Sequence, residues 1–205
     1  MKILNLYCGI GGNRKLWGNE HQIVAVENDS EIAKLYKEFY PGDEIIVADA
    51  HQYLLEHYNE FDFIWASPPC PSHSRARFWG SFGKGRTKIY PDMRLYQEIL
   101  FLTHYCKNIK WVVENVKPYY KPLIEAKQLG RHLFWSNFDI PNFKSETLFF
   151  PKDSLPTLQK IYGVELGKLN VNIDKRVILR NMVNPEVGLH ILKCVLDGKT
   201  EGESK

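Results

Sequence analysis

Phe61-Asp62-Phe63-Ile64-Trp65-Ala66-Ser67-Pro68-Pro69-Cys70-Pro71-Ser72-His73-Ser74 is the stretch on which the fold turns. Its first residues make an apolar run of the kind that builds a strand buried on both faces. Pro68 and Pro69 end the ladder, because neither carries a backbone N–H. Cys70 then falls just past the carboxyl end of a parallel strand, where open α/β sheets place their ligands. A cysteine taken alone is more often a small buried hydrophobe than a nucleophile. On a rigid Pro-Pro platform above a sheet edge it becomes a candidate nucleophile.

The residues upstream give the strand its neighbours. Lys2 to Tyr7 reads as a first strand running into the turn Cys8-Gly9-Ile10-Gly11-Gly12, with a short helix over Asn13 to Trp17. Glycines there let the backbone approach a ligand, and a helix N-terminus offers free N–H groups. Gln22 to Val26 is a second strand ending at Glu27, about 20 residues past the turn, the position from which a carboxylate binds ribose hydroxyls. A helix over Asp29 to Phe39 follows, capped by Asp29 or Ser30. Ile45 to Ala48 is a third strand ending at Asp49, an acid placed to accept from an adenine amino group, and a helix over His51 to Tyr58 leads to the strand before Cys70. The order β-α-β-α-β-α-β, with the notable residues at strand ends, predicts a doubly wound α/β sheet.

Downstream, residues 71–91 show neither helical nor strand period. This stretch mixes glycines with Arg75, Arg77, Lys84, Arg86 and Lys88 and with Phe78, Trp79 and Phe82. Basic groups bind phosphates and aromatics stack on or wedge between bases, so the loop, with Ser74, is a candidate nucleic-acid contact. Asp92 is expected to cap a helix with Leu95, Ile99, Leu102 and Tyr105 on its apolar face. Trp111-Val112-Val113 reads as strand five, delivering Glu114-Asn115-Val116 to the same edge as Cys70. A half-buried Glu there can carry a raised pKa and donate a proton. A helix over Tyr120 to Leu129, strand six over Leu133 to Ser136, a helix over Ser154 to Tyr162 and a last helix over Leu189 to Leu196 complete the reading. Pro185 suits a first helical turn.

Composition is that of an ordinary soluble chain: 205 residues, 44% hydrophobic, 25% charged and a net charge of +3, enough for one domain with its own core. Cys8, Cys70, Cys106 and Cys194 include no CxxC pair, so zinc spacing is absent and no metal is expected. A disulfide framework is not expected either, which points to a reducing, cytoplasmic setting. Met1 leads directly into a strand pattern and no apolar run has the length of a membrane span, so neither a signal peptide nor a membrane partner is expected. Residues 1–196 are expected to form a single domain, with a short connector over 137–172 and a polar tail over 197–205.

Taken in order, these motifs resemble the DNA cytosine-5 methyltransferase family over nearly the whole chain. Leu6 to Gly12 is similar to its methyl-donor turn. Glu27, Asp49, Ser67-Pro68-Pro69-Cys70 and Glu114-Asn115-Val116 follow as its later motifs do, and Asn181-Met182-Val183 resembles the last. The resemblance implies a Rossmann-like S-adenosylmethionine-dependent methyltransferase fold, a mostly parallel twisted sheet with helices on both faces. It implies S-adenosylmethionine as donor, S-adenosylhomocysteine as product and double-stranded DNA as substrate. Cys70 would add to carbon 6 of a flipped-out cytosine, Glu114 would act at ring nitrogen 3, Asn115 would orient the loop, and Arg131 would assist. The donor would be held by Tyr7, Cys8, Gly9, Ile10, Gly11, Gly12, Glu27, Asn28, Asp49, Ala50, Ser67, Pro69, Asn181 and Val183.

Departures from the family pattern are informative. Asn5 stands where an acid is usual, Gly130-Arg131-His132 replaces a Gln-x-Arg-x-Arg pattern, and Arg180 replaces a glycine. The target recognition region expected after strand six is nearly missing, so the form resembles small phage or prophage modification enzymes. Readout then falls to the loops, a short segment around residues 137–150, a partner subunit or a second copy. Three other readings stay open at this point. A methyltransferase for exocyclic amines would need an aromatic residue where Cys70 stands. A cytosine-5 enzyme could act on RNA or use a modified donor. A catalytically inactive subunit could bind DNA or cofactor for a partner.

Overall fold

A computed structural model describes residues 1–82, 87–144, 154–166 and 174–200, the last three of these (198–200) by backbone alone. Its centre is a seven-stranded sheet in the order β3-β2-β1-β4-β5-β7-β6. The strands are β1 Lys2–Leu6, β2 Gln22–Glu27, β3 Glu44–Val47, β4 Phe63–Ala66, β5 Lys110–Val116, β6 Lys127–Leu129 and β7 His132–Ser136. Strands β1 to β5 run parallel, and β7 pairs antiparallel with both β5 and β6. This is the mostly parallel, doubly wound sheet read from the sequence.

Helices α1 (Ser30–Phe39) and α2 (Ala50–His57) follow β2 and β3, each opened by an aspartate cap. Asp29 Oδ1 accepts from the backbone N–H of Glu31 and Ile32, and Asp49 Oδ1 from His51 and Gln52. Such caps satisfy N–H groups that the helix leaves orphaned. One face of the sheet packs Leu4, Val24, Ile64, Val113, Leu95, Ile99 and Leu102. The other packs Ile3, Phe63, Trp65 and Val112 against Ile191, Leu192 and Val195. Those last residues lie on α7 (Pro185–Thr200), whose first turn contains Pro185 as expected. The helix runs into the stretch read as a polar tail, and residues 201–205 lie outside the described residues.

Four local readings are corrected. The stretch after Cys70 contains a short helix, α3 (Arg75–Gly80), where no period was legible. Helix α4 (Arg94–Tyr105) is capped at Met93 rather than Asp92, although Asp92 Oδ1 still accepts from Arg94 N–H. Tyr105 is exposed, and Glu98 occupies the buried stripe instead. No helix spans Tyr120 to Leu129. Instead, Leu123 N–H donates to Tyr96 Oη, and Lys127–Leu129 joins the sheet as β6. A two-residue turn, Gly130-Arg131, with Gly130 at φ +59°, closes the β6–β7 hairpin. Helices α5 (Leu155–Tyr162) and α6 (Lys175–Arg180) then pack Leu158, Tyr162, Ile178 and Leu179 together under Ile10. Among the described residues no helix is long and apolar enough to cross a membrane.

Candidate active site

Strands β1 and β4 are neighbours whose connections leave in opposite directions across the sheet, which opens a crevice at their carboxyl ends. A cavity of about 670 Å³ lies there, within the range of small-molecule sites. A groove of about 920 Å³ at the other end of the sheet, between α4 and the end of β7, contains none of the candidate catalytic or donor-binding residues. The smaller cavity is therefore the candidate site.

The glycine turn forms one wall. Tyr7, at φ 54°, is the non-glycine residue with positive φ among the described residues, a conformation that costs about 1–2 kcal/mol for an L side chain. Gly9 follows at φ +52°, and a Cβ there would meet nothing within 4 Å, so its backbone is open to the cavity. Gly12 is different. A Cβ on it would lie 2.5 Å from the Val183 carbonyl, so its small size lets the segment after α6 close over the turn. Behind the turn, the departure at Asn5 is matched by Asn13: both are buried, and Asn13 Nδ2 donates to Asn5 Oδ1 at 2.8 Å. Two amides thus replace an acid with a neutral pair that leaves no charge buried.

Glu27 ends β2 at the cavity. Its Oε2 accepts from Gly9 N–H at 3.1 Å, and its Oε1 from Asn28 and Asp29 N–H at 2.9 and 3.1 Å. The carboxylate braces the turn and keeps further lone pairs for a ligand. Tyr7, Cys8, Gly9, Ile10, Gly12, Glu27, Asn28, Ser67, Pro69, Asn181 and Val183 line the cavity. Gly11, Asp49 and Ala50 do not. Gly11 lies under the Tyr36 and Tyr40 rings, where a Cβ would clash. Asp49 caps α2 and its Oδ2 lies 3.4 Å from Arg94 Nη1.

The wall with the candidate catalytic residues is built from β4, β5 and the β6–β7 turn. Cys70, Glu114, Asn115 and Arg131 all line the cavity, as does His132. Asn115 Nδ2 donates to the Pro68 carbonyl at 2.9 Å, tying the proline platform to β5. The N–H groups of His73 and Ser74 donate to the Cys70 carbonyl, and Arg75 Nε donates to the Pro118 carbonyl. Burial pushes the Cys70 thiol up to about 11, with the Glu114 carboxylate raising it and the Arg131 guanidinium lowering it. Glu114 is 6% exposed, and its Oε1 lies 3.3 Å from His132 Nδ1. Burial lowers the His132 pKa, so that ring is neutral at pH 7.

At the mouth, Ser74 and Arg75 line the cavity while Arg77 lies outside it on α3. Trp79 and Phe82 are each 69% exposed beside them, and Phe78 stacks on Tyr119 with ring centroids 4.2 Å apart. Lys88 lies beyond this cluster and outside the lining, and Lys84 and Arg86 fall outside the described residues.

Sequence reasoning missed Glu98. Its side chain is wholly buried on α4, where the Tyr7 hydroxyl donates to Oε1 and His51 Nδ1 lies 3.0 Å from the same oxygen. The signal was available: Glu98 falls between Leu95, Ile99 and Leu102, a charged residue inside an apolar helical stripe. The second departure, His132, was noticed, but its approach to Glu114 depends on the hairpin that replaced the expected helix. Among the described residues no cluster of potential metal ligands occurs.

The sheet order and the cavity above its parallel strand ends define the Rossmann-like class of S-adenosylmethionine-dependent methyltransferases. Within that class, the family model for C-5 cytosine-specific DNA methylases matches residues 1–121, and the chain belongs to that family. Arg131, His132 and Asn181 lie beyond the matched residues. No curated protein matches the chain in sequence. Among solved structures, the Entamoeba histolytica methyltransferase EhMeth is 11% identical and superposes with a TM-score of 0.62, covering 97% of this chain and 98% of that one. A triple-alanine mutant of DNMT2 from Spodoptera frugiperda is 28% identical with a TM-score of 0.39. That match covers 57% of this chain and 35% of the insect chain, so the chain spans about a third of that protein's length.

Proposed function

We propose that the protein transfers a methyl group from S-adenosylmethionine to carbon 5 of cytosine in double-stranded DNA through a transient adduct with Cys70. The observation that carries this reading is that Cys70, Glu114 and Arg131 share one cavity with the glycine turn and Glu27. The residues suit the donor: open backbone at Gly9, a carboxylate at Glu27 and apolar Ile10, Ile32 and Val183 around them. When bound, the donor supplies an electrophilic methyl on a sulfonium.

The rest falls to the chain's own groups. At neutral pH the thiol with a pKa of about 11 is ionised in about one molecule in ten thousand. Glu114 in its acid form, hydrogen-bonded to ring nitrogen 3 of the base, no longer presents the charge that raises the thiol, and Arg131 remains to lower it. Engagement of the correct base thus favours the thiolate. The thiol proton leaves to solvent, sulfur bonds to carbon 6, and the electron density passed to carbon 5 takes the methyl. Loss of the carbon 5 proton to solvent water then restores the ring double bond and expels the sulfur as thiolate, which breaks the sulfur–carbon bond and frees Cys70. Flipping the base costs a few kcal/mol. Ser74, Arg75, Arg77, Lys84, Arg86 and Lys88 are the proposed DNA contacts that offset it.

Two measurements test this reading. Incubation with S-adenosylmethionine and unmethylated DNA, followed by nucleoside mass spectrometry, is expected to give 5-methylcytosine; methylated adenine or N4-methylcytosine would overturn it. DNA containing 5-fluorocytosine, which cannot lose a proton from carbon 5, is expected to trap a covalent complex with the native protein. Cys70→Ala should bind S-adenosylhomocysteine normally yet form neither product nor complex.

A further inference from the structure

Glu98 has no part in the chemistry above, yet it is the most deeply placed carboxylate near the cavity. It is 1% exposed, and its Oε2 has no hydrogen-bond partner. An ionisable group held this way in a core is expensive and needs a reason. Its other oxygen joins three elements: α4, which carries it; the end of β1, through the Tyr7 hydroxyl; and the start of α2, through His51. Tyr7 is the non-glycine cavity-lining residue held at positive φ. That conformation persists only where the surroundings over-determine it. The hydrogen bond to Glu98 is what fixes the far end of the Tyr7 side chain.

We propose that Glu98 is a positioning residue for methyl-donor binding, which holds the Tyr7 ring in the cavity wall with His51 as its charge partner. The inference rests on the reading of this cavity as the S-adenosylmethionine site. It assigns to Glu98, Tyr7 and His51 a role as one unit, although they come from distant parts of the chain. Glu98 leaves the cavity lining to Tyr7, so it acts through that ring and not by touching the donor.

The cluster also gives donor binding a characteristic pH dependence. The hydrogen bond to Glu98 raises the His51 pKa against the opposing effect of its partial burial. Burial raises the Glu98 pKa, while His51 and Tyr7 lower it. The other charged groups facing the pair are Asp49, before α2, and Arg94, on α4. While His51 is protonated and Glu98 ionised, Tyr7 has a charged acceptor with a counter-charge beside it. Donor affinity is therefore expected to fall as pH rises through the raised His51 value, where Glu98 loses that counter-charge.

The test is calorimetric titration of the folded protein with S-adenosylhomocysteine from pH 5.5 to 8.5 (chosen to span ordinary His titration, ~6.5). Tyr7→Phe keeps the ring and removes the hydroxyl, and is expected to bind about five- to tenfold more weakly, the loss of a charge-assisted hydrogen bond shared with folding. Glu98→Gln keeps an acceptor without the charge, and should bind within about threefold of the native protein near neutral pH but with the His51-dependent fall at higher pH abolished. A merely structural role would lower the melting temperature and leave both affinity and its pH profile in the folded protein unchanged; that result overturns the inference. Failure of the native protein to bind S-adenosylhomocysteine at any pH would instead overturn the reading of the cavity, and this inference with it.

Discussion

Cys70 shows how one side chain is tuned by the two that face it. Burial is the largest influence on its thiol, Glu114 adds to it and Arg131 opposes it, for a pKa of about 11. Below that value the thiolate share, and with it alkylation by iodoacetamide, is expected to rise about tenfold per pH unit. Glu114→Gln removes the raising charge while keeping the shape, so alkylation of Cys70 should become faster at any given pH. Methyl transfer should nevertheless fall by at least about a hundredfold, the ordinary contribution of a positioned acid. Opposite changes in thiol reactivity and turnover are the signature of Glu114 acting on the base. Parallel losses, measured by mass spectrometry of the alkylated peptide and by product formation, would assign Glu114 to thiol activation instead. The residue types were legible in the sequence because Pro-Pro-Cys and Glu-Asn-Val both follow apolar runs. The sign of their mutual influence was not, because it depends on burial and on Arg131 arriving from a hairpin.

That hairpin is where the elements departed furthest from expectation. Residues 120–129 have enough apolar and long polar side chains to suggest a helix, and Pro122, in what would be its first turn, does not forbid one. The backbone groups are used elsewhere: Leu123 N–H on Tyr96, and Ile124 carbonyl accepting from Trp135 Nε1. Once β6 forms, Gly130 must turn the chain at φ +59° so that Arg131 and His132 reach the cavity. A Cβ at Gly130 would meet nothing within 4 Å, so Gly130→Ala carries only the backbone cost of a left-handed residue, about 1 kcal/mol. Urea unfolding should show that loss, and Gly130→Asn a smaller one, since Asn tolerates this conformation better. Both should reduce turnover more than donor affinity, because the turn carries Arg131 and not the glycine-turn wall. A drop in donor affinity of the same size would mean that the hairpin supports the whole cavity. Strands β1 to β4 posed no such problem. Each is an apolar run ended by glycine, acid or proline, a pattern that few other structures satisfy.

The two ends of the described chain meet, and no local pattern announced it. The Trp17 indole donates to the Gly188 carbonyl at 3.1 Å, across a separation of 171 residues. Asn181-Met182-Val183 was placed by resemblance at the donor site, but the close fit that puts it there is a matter of missing methyl groups. Gly12 admits Val183, and Gly188, in the first turns of α7, admits Asn13. A Cβ on Gly188 would lie 2.3 Å from the Asn13 carbonyl oxygen and 2.7 Å from its Cα, both backbone atoms that cannot rotate away. An alanine in a helix is ordinarily more stable than a glycine by roughly 0.5–1 kcal/mol. Here the contact with Asn13 reverses the sign, because α7 must shift away from the turn or distort, at a cost of about 1–3 kcal/mol. Gly188→Ala is thus expected to lower the melting temperature even though it raises helix propensity. Because Asn13 is the partner of Asn5 directly behind the glycine turn, the shift should also weaken S-adenosylhomocysteine binding in the protein that remains folded. A stabilised Gly188→Ala variant would show that α7 does not press on the turn, and that the wall formed by Asn181 and Val183 is held by some other contact.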